Sequence, residues 1–281
     1  MHQQNTPVIC PSCNAVYTGS FCSNCGEKKI DRHDFSIRHF VEESIEGFTH
    51  FDNRFLRSLK LLIIKPGLLT KYYFEGRRIP FMKPLQLFIV CNIIFFFLLG
   101  KSNVFAVSFY NYRNFTPFIY FGTQQAIAAK AQTQDQLLTL ATIFNERMST
   151  VSKSFLILFI PVFALFFSLF FFNKKKYFTE HLVFATHFFS FLILYYVALR
   201  FAAELPFTYF SHKNYSSTFD FIVSLTSLLL LSFYFGIAAK RFYSISNAQA
   251  VITGILMAIA FIVCIYTYRM FLFYKIIYSI H

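Results

Sequence analysis

The residues of this chain best suited to chemistry gather near its start: Cys10-Pro-Ser-Cys13, eight residues, then Cys22-Ser-Asn-Cys25-Gly26. Two Cys-x2-Cys knuckles joined by a short hairpin present four soft thiolate ligands at the spacing of a tetrahedral structural zinc site. The hairpin has Val16, Tyr17 and Phe21 as its main apolar filling. So little filling cannot fold without an ion, and the free energy of metal binding becomes that of folding. Structural zinc on Cys10, Cys13, Cys22 and Cys25 is therefore the expected cofactor, ahead of a disulfide or redox pair. A closed four-cysteine site keeps no open coordination position, which speaks against catalysis at this metal. Lys28 and Lys29 follow at once and can offset the negative charge of a zinc held by four thiolates. The ribbon carries no aromatic-basic face, which speaks against nucleic acid as a partner. Cys91 and Cys264 stand alone in apolar runs and read as small core residues.

A second set of polar candidates is Glu180, His181 and His187. Glu180 and His187 are seven residues apart, so on a helix they share nearly one face about 10.5 Å apart along the axis, while His181 points elsewhere. One metal held by all three strains a single helix and needs a ligand from a neighbour. Capping and interhelical hydrogen bonding are the expected roles, with use by a lipid-modifying enzyme as an alternative. A third set is cationic: Arg77, Arg78 and Lys83 crowd the entrance of an uncharged run that begins at Pro84. Such a collar suits the cytoplasmic mouth of a spanning helix and the anionic headgroups beside it.

The elements that must position these groups follow from composition and period. With 56% hydrophobic and 14% charged residues and a mean hydropathy of +0.50, the chain has more apolar surface than one soluble core could hide. Phenylalanine contributes 42 of 281 residues and tryptophan none, so any interfacial belt is built from Tyr and Phe. Met1 to Thr6 is polar and runs straight into the cysteines, so no secretory signal is expected.

The expected fold class is an all-α integral membrane protein: a zinc ribbon over 1–30, basic amphipathic helices over 34–83, and a five-helix transmembrane domain over 84–281. Ile37, Phe40, Val41, Ser44, Ile45 and Phe48 fall on one helical face with Ser36 as N-cap, and a second stripe runs through Phe55, Leu56, Leu59, Leu62 and Ile63. Pro66 suits the first turn of a short third helix and Gly76 its end. From Arg54 to Lys83 there are eight basic residues against Glu75 alone, the pattern of helices lying on anionic lipid or flanking a span on its inner side.

These residues resemble a known family. The knuckles, Phe51-Asp52-Asn53-Arg54-Phe55-Leu56-Arg57-Ser58-Leu59, Lys65-Pro66-Gly67, Tyr72, Glu75-Gly76-Arg77-Arg78, Phe81 and Lys83-Pro84-Leu85 are similar to an uncharacterised family of bacterial multi-pass membrane proteins, a domain of unknown function. Tyr177 to Phe184, with His187, resembles a second patch of the same family. The resemblance implies residence in the bacterial inner membrane and supplies no activity.

Apolar runs at 84–100, 155–172, 182–203, 219–239 and 248–268 each approach the ~20 residues that a spanning helix needs. With the N-terminus in the cytoplasm and the C-terminus outside, inner segments hold 17 Lys and Arg against 9 outside. A zinc ribbon asks for the same reducing side. The outer loop 101–153 reads as an aromatic belt plus an extension of the second span carrying Leu137, Leu140, Ala141, Phe144 and Met148, or alternatively as a lid or lipid-contacting cap; Pro161 is expected to kink that span. Three functions stay open: a binding or scaffold protein engaging a cytosolic protein partner or lipid, a transporter or channel for a neutral or lipophilic solute, and a lipid-modifying enzyme.

Overall fold

A computed structural model of the chain describes residues 7–45, 53–99, 105–211 and 217–280. Phe48, Phe51, Asp52, Gly100 and the first residues of the outer loop lie outside this set. Among the described residues, sheet is limited to the two-residue strands β1 (Val8–Ile9) and β2 (Val16–Tyr17), antiparallel with Val8 opposite Tyr17 and Ile9 opposite Val16. Everything larger is helical. The amphipathic α1 (Ile37–Ile45) and α2 (Asn53–Ile64) are followed by the short α3 (Leu68–Phe74) and the apolar α4 (Pro84–Leu98). Next come α5 (Phe109–Asn114), α6 (Thr116–Ile119), α7 (Thr123–Ala128) and α8 (Gln134–Ser154), then α9 (Phe159–Phe170). The chain closes with α10 (Phe178–Leu199), α11 (Leu205–Ser211), α12 (Ser217–Tyr243) and α13 (Asn247–Ser279).

Three helical stretches are long and apolar enough to cross a membrane: Phe178–Phe210, Thr218–Tyr243 and Asn247–Ser279. A fourth is the pair Gln134–Ser152 and Leu156–Phe170, bent by 49°. The break falls between Ser152 and Leu156, whereas Pro161, expected to kink this span, stands in the first turn of α9, where its missing N–H costs little. At 15 residues α4 is uncharged, with Gln86 and Asn92 its polar residues, but shorter than the ~20 a spanning helix needs. Helices outrun their apolar runs. α10 passes Arg200 through a π turn at Arg200–Glu204 into α11, with Arg200 Nη1 paired to Glu204 at 3.0 Å, and α13 continues beyond Arg269. A charge ends a hydropathy run without ending the backbone hydrogen-bond ladder.

The chain divides into two compact units. The first comprises Met1–Cys91, Ile160–Leu194 and Tyr215–Met257; the second Asn92–Phe159, Tyr195–Asn214 and Ala258–His281. In the first, the turn between α2 and α3 is pinned to α12. Tyr234 Oη donates to the Leu62 carbonyl at 2.6 Å, and Arg241 donates to the carbonyl of Pro66. Gly67 sits at φ +77, and a Cβ there would stand 2.3 Å from the carbonyl oxygen of Ala238, so the site admits glycine alone. Pro66 therefore lies before the N-cap of α3 rather than in its first turn, because Gly67 takes the cap. Past the other end, Gly76 at φ +84 closes a Schellman motif in which Arg77 N–H reaches Tyr72 O at 2.9 Å.

In the second unit the aromatic-rich loop divides into two faces. Phe105, Phe109, Tyr112 and Phe118 are core residues, whereas Tyr110, Phe115, Tyr120 and Phe121 are exposed. Tyr112 packs on Phe118, Phe144 and Phe273 and donates to the carbonyl of Arg269 at 2.8 Å. Leu140, Phe144 and Met148 of α8 are buried with them. Half of the expected belt is thus interior, since these rings have α8 and α13 to pack against.

Candidate metal centre and the basic cavity beside it

The two knuckles repeat one backbone device. Cys10 N–H donates to Ala15 O and Asn14 N–H to Cys10 O; twelve residues on, Cys22 N–H donates to Glu27 O and Gly26 N–H to Cys22 O, all at 2.8–2.9 Å. The fourth residue after each leading cysteine is left-handed, Asn14 at φ 61 and Gly26 at φ 76, and these are residue types that tolerate it. The amides thus turn each Cys-x2-Cys back on itself and converge the sulfurs. Cys10 and Cys25 Sγ lie 3.5 Å apart, Cys13 and Cys22 Sγ 3.6 Å, and all four within 4.8 Å.

Metal–sulfur bonds of about 2.3 Å in a tetrahedron put sulfurs about 3.8 Å apart, whereas a disulfide needs about 2.05 Å. The four cysteines fit a metal ion, and all are free. The backbone amide of Ala15, with the Asn24 side chain, draws the Cys13 thiol down to about 6. For Cys25 the Glu27 amide pulls the same way, but burial and the three neighbouring sulfurs outweigh it and push the thiol up to about 12. Four thiolates at this spacing need a cation among them. Among the described residues these cysteines form the one group of three or more His, Cys, Asp or Glu placed to hold a metal.

A carboxylate just past the second knuckle ties the ribbon to the collar. Glu27 is 2% exposed, and its Oε2 accepts from Ser12 Oγ at 2.5 Å, Arg78 N at 3.1 Å and Ile79 N at 3.0 Å. Asp34 adds a second clamp, accepting from Lys28 Nζ at 2.9 Å with Arg78 Nη1 at 3.7 Å. Burial raises its carboxyl pKa, yet Lys28, the Asp31 amide and Arg78 together hold it below the ordinary aspartate value. Arg78 also lies 4.5 Å over the Tyr73 ring and donates from Nε to Tyr73 O, and Arg77 lies 4.8 Å over Tyr72. Arg77, Arg78 and Lys83 line one cavity of ≈ 200 Å³, joined there by Lys28 and Arg54.

Glu180, His181 and His187 are all buried, and each has its own partner. Glu180 caps the start of α10, binding Lys176 Nζ at 2.6 Å and accepting from Tyr177 N at 2.9 Å. His181 Nδ1 is 2.8 Å from Tyr243 Oη on α12, and His187 Nδ1 is 2.9 Å from Thr70 Oγ1 on α3. Thr179 Oγ1 reaches Phe35 O at 2.5 Å. The first turns of α10 therefore fasten three different elements, and of the trio only His187 reaches the basic cavity. Sequence reading passed over Glu27, Asp34 and Thr70. An acidic residue directly after a knuckle glycine, in a segment otherwise rich in Lys, was the signal for Glu27; Thr70 had none, because its partner is 117 residues away.

Residues 52–96 match a family described as a protein of unknown function (DUF3667), a span that runs from the start of α2 through most of α4 and includes the collar. No curated protein and no solved structure is matched by the chain.

Proposed function

We propose that this is a membrane-embedded binding protein of the bacterial inner membrane, in which a zinc ribbon stiffens a basic cytoplasmic surface that engages anionic lipid headgroups and through them, or beside them, a cytosolic protein partner. The observation that carries the reading is the outward arc of α2, where Arg57 and Lys60 alternate with Leu56, Ile63 and Ile64, all exposed. A face that mixes cations with large aliphatic side chains suits the headgroup boundary, where each basic residue contributes about 1 kcal/mol with anionic lipid. Zinc is the reading of four thiolates in a closed tetrahedral cage.

Full-length protein in phosphatidylcholine nanodiscs, with and without phosphatidylglycerol, tests the surface. Amides of residues 53–64 are expected to exchange more slowly in the anionic discs, and Arg57→Gln with Lys60→Gln or high salt to erase the difference. Equal protection in both discs would remove the headgroup reading. Counting α4 as a span makes five and puts the termini on opposite sides, so a reporter fused after His281 is expected outside and one at Lys175 inside. An N-terminal reporter on the same side as the one after His281 would reduce α4 to a helix that does not cross.

A further inference from the structure

The cavity between the ribbon and the collar is built unlike the outward arc of α2. Cations from three separate stretches line it: Lys28 after the second knuckle, Arg54 of α2, and Arg77, Arg78 and Lys83. Among the described residues Glu27 is the one acidic side chain on its wall, and three donors already occupy its Oε2. Asp34 offsets Lys28 and Arg78, which leaves the guanidinium groups of Arg54 and Arg77 as positive charge around a small space.

A second observation is independent of charge. His187, 4% exposed, lines the same cavity; its Nδ1 is committed to Thr70, and its Nε2 is buried with no hydrogen-bond partner. Arg77 Nε is likewise buried and unpartnered. Buried polar atoms in folded proteins are nearly all paired, because an unmade bond costs the full desolvation of the group. Two unpaired nitrogens and a surplus of cations on one cavity mark it as a place for an anion. At ≈ 200 Å³ it is smaller than the ~300–1,000 Å³ pockets of drug-sized ligands, so the occupant is one compact group. A carboxylate offers two oxygens and one charge; a phosphate offers more of both and matches the planar fork of an arginine.

We propose that this cavity is a binding site for a phosphate group, from free phosphate or from a lipid headgroup, in which His187 Nε2–H and the Arg77 guanidinium donate to its oxygens while Arg54 adds balancing charge. Thr70 is a positioning residue: by accepting the hydroxyl at Nδ1, His187 keeps its proton on Nε2. The lipid source rests on the headgroup reading given above; the free-phosphate source does not.

The test is calorimetric titration of inorganic phosphate into full-length, metal-loaded protein in phosphatidylcholine nanodiscs, repeated in discs that contain phosphatidate. Saturable binding is expected, weakened about tenfold or more by Arg77→Gln and by His187→Leu. His187→Gln, which keeps an N–H near the position of Nε2, is expected to retain most of the affinity. Metal content and cooperative unfolding check that each variant is folded, and Arg77→Gln serves if His187→Leu is not. Phosphate binding that phosphatidate suppresses assigns the site to headgroups; binding indifferent to phosphatidate assigns it to soluble phosphate. No saturable binding in the neutral discs and no suppressible binding of phosphatidate would overturn the site, as would full affinity in folded Arg77→Gln and His187→Leu. Slowed exchange of residues 53–64 in anionic discs could survive that result, so the two readings fail separately.

Discussion

The ribbon with its collar and the aromatic interior of the second unit are held in opposite ways. The buried ribbon core is Cys10, Tyr17 and Cys22, two of them from the cysteine cluster that could hold a metal, and its polar attachment to the collar runs through Glu27 Oε2 and through Asp34 between Lys28 and Arg78. The second unit has no such dependence on a few bonds. Phe105 alone meets Phe95, Phe159, Tyr196 and Tyr268 at centroid distances of 5.9–6.4 Å. Each such pair adds about 0.5–1.5 kcal/mol beyond burial and none is indispensable. A region held by few directional bonds can be released by removing one ion or one charge, while a region held by many dispersion contacts yields only to lost volume.

The largest expected effect sets the two regions apart at once. Cys10→Ser with Cys22→Ser takes a ligand from each knuckle, so the bound ion is lost, and with it a coupling between metal and fold on the order of 10 kcal/mol. Metal analysis is expected to fall from one ion per chain to none. Amide exchange is expected to become fast over residues 8–28 and stay unchanged over 109–148. Retained stoichiometry in the double variant would move the metal elsewhere and break the comparison. Phe105→Ala comes next, at about 3–5 kcal/mol for an aromatic side chain deleted from a close-packed interior. Denaturant unfolding in detergent measures it, and the metal content is expected to be unaffected.

The same contrast explains what could be read without coordinates. The knuckle spacing announced four converging sulfurs because ligand geometry is local, set within four residues of each leading cysteine. Gly76 was legible for the same reason. The faces of α8 were legible from their period. The long helices were recognisable but cut short, because the apolar runs stop before Glu204 and Arg269 while helix hydrogen bonds do not. In α2 the expected stripe ran through Phe55, Leu56, Leu59, Leu62 and Ile63; Phe55 and Leu62 are buried, but Leu56 and Ile63 are exposed and Ser58 completes the buried line, its Oγ accepting from Met82 N at 2.8 Å. A polar residue at the centre of a packed face is invisible to a reading based on apolar period. The cavity was least legible of all, since His187 joins Lys28 and Arg77 only through tertiary packing.

Gly67→Ala probes how firmly the turn before α3 must press on α12. The left-handed φ and the overlap with the Ala238 carbonyl together predict a loss of about 2–4 kcal/mol, since each contributes about 1–2 kcal/mol. The loss reads as a lower midpoint in thermal unfolding with the metal retained. A neutral result would show that α12 yields at this point, and that the first unit is as forgiving here as the aromatic interior.

The smallest expected effect tests whether the ribbon and collar depend on charge as well as on metal. Asp34 is ionised in its clamp and its carboxyl sits below the ordinary value of 3.8, so folding favours the charged form. For a depressed carboxyl the stabilisation is fully present above the unfolded pKa and disappears as pH falls through the folded one. Asp34→Asn keeps the shape and removes the charge. The substitution is expected to cost about 1–2 kcal/mol near neutrality, the scale of a hydrogen bond to a charged group. That gap should hold steady down to about pH 4 and close below it. Because both proteins lose their thiolates to protons in the same range, the quantity to follow is the difference between the two unfolding curves at saturating metal. A gap that stays constant to the lowest pH would show that the Asp34 carboxylate contributes geometry alone, and that the contrast with the aromatic interior rests on the metal.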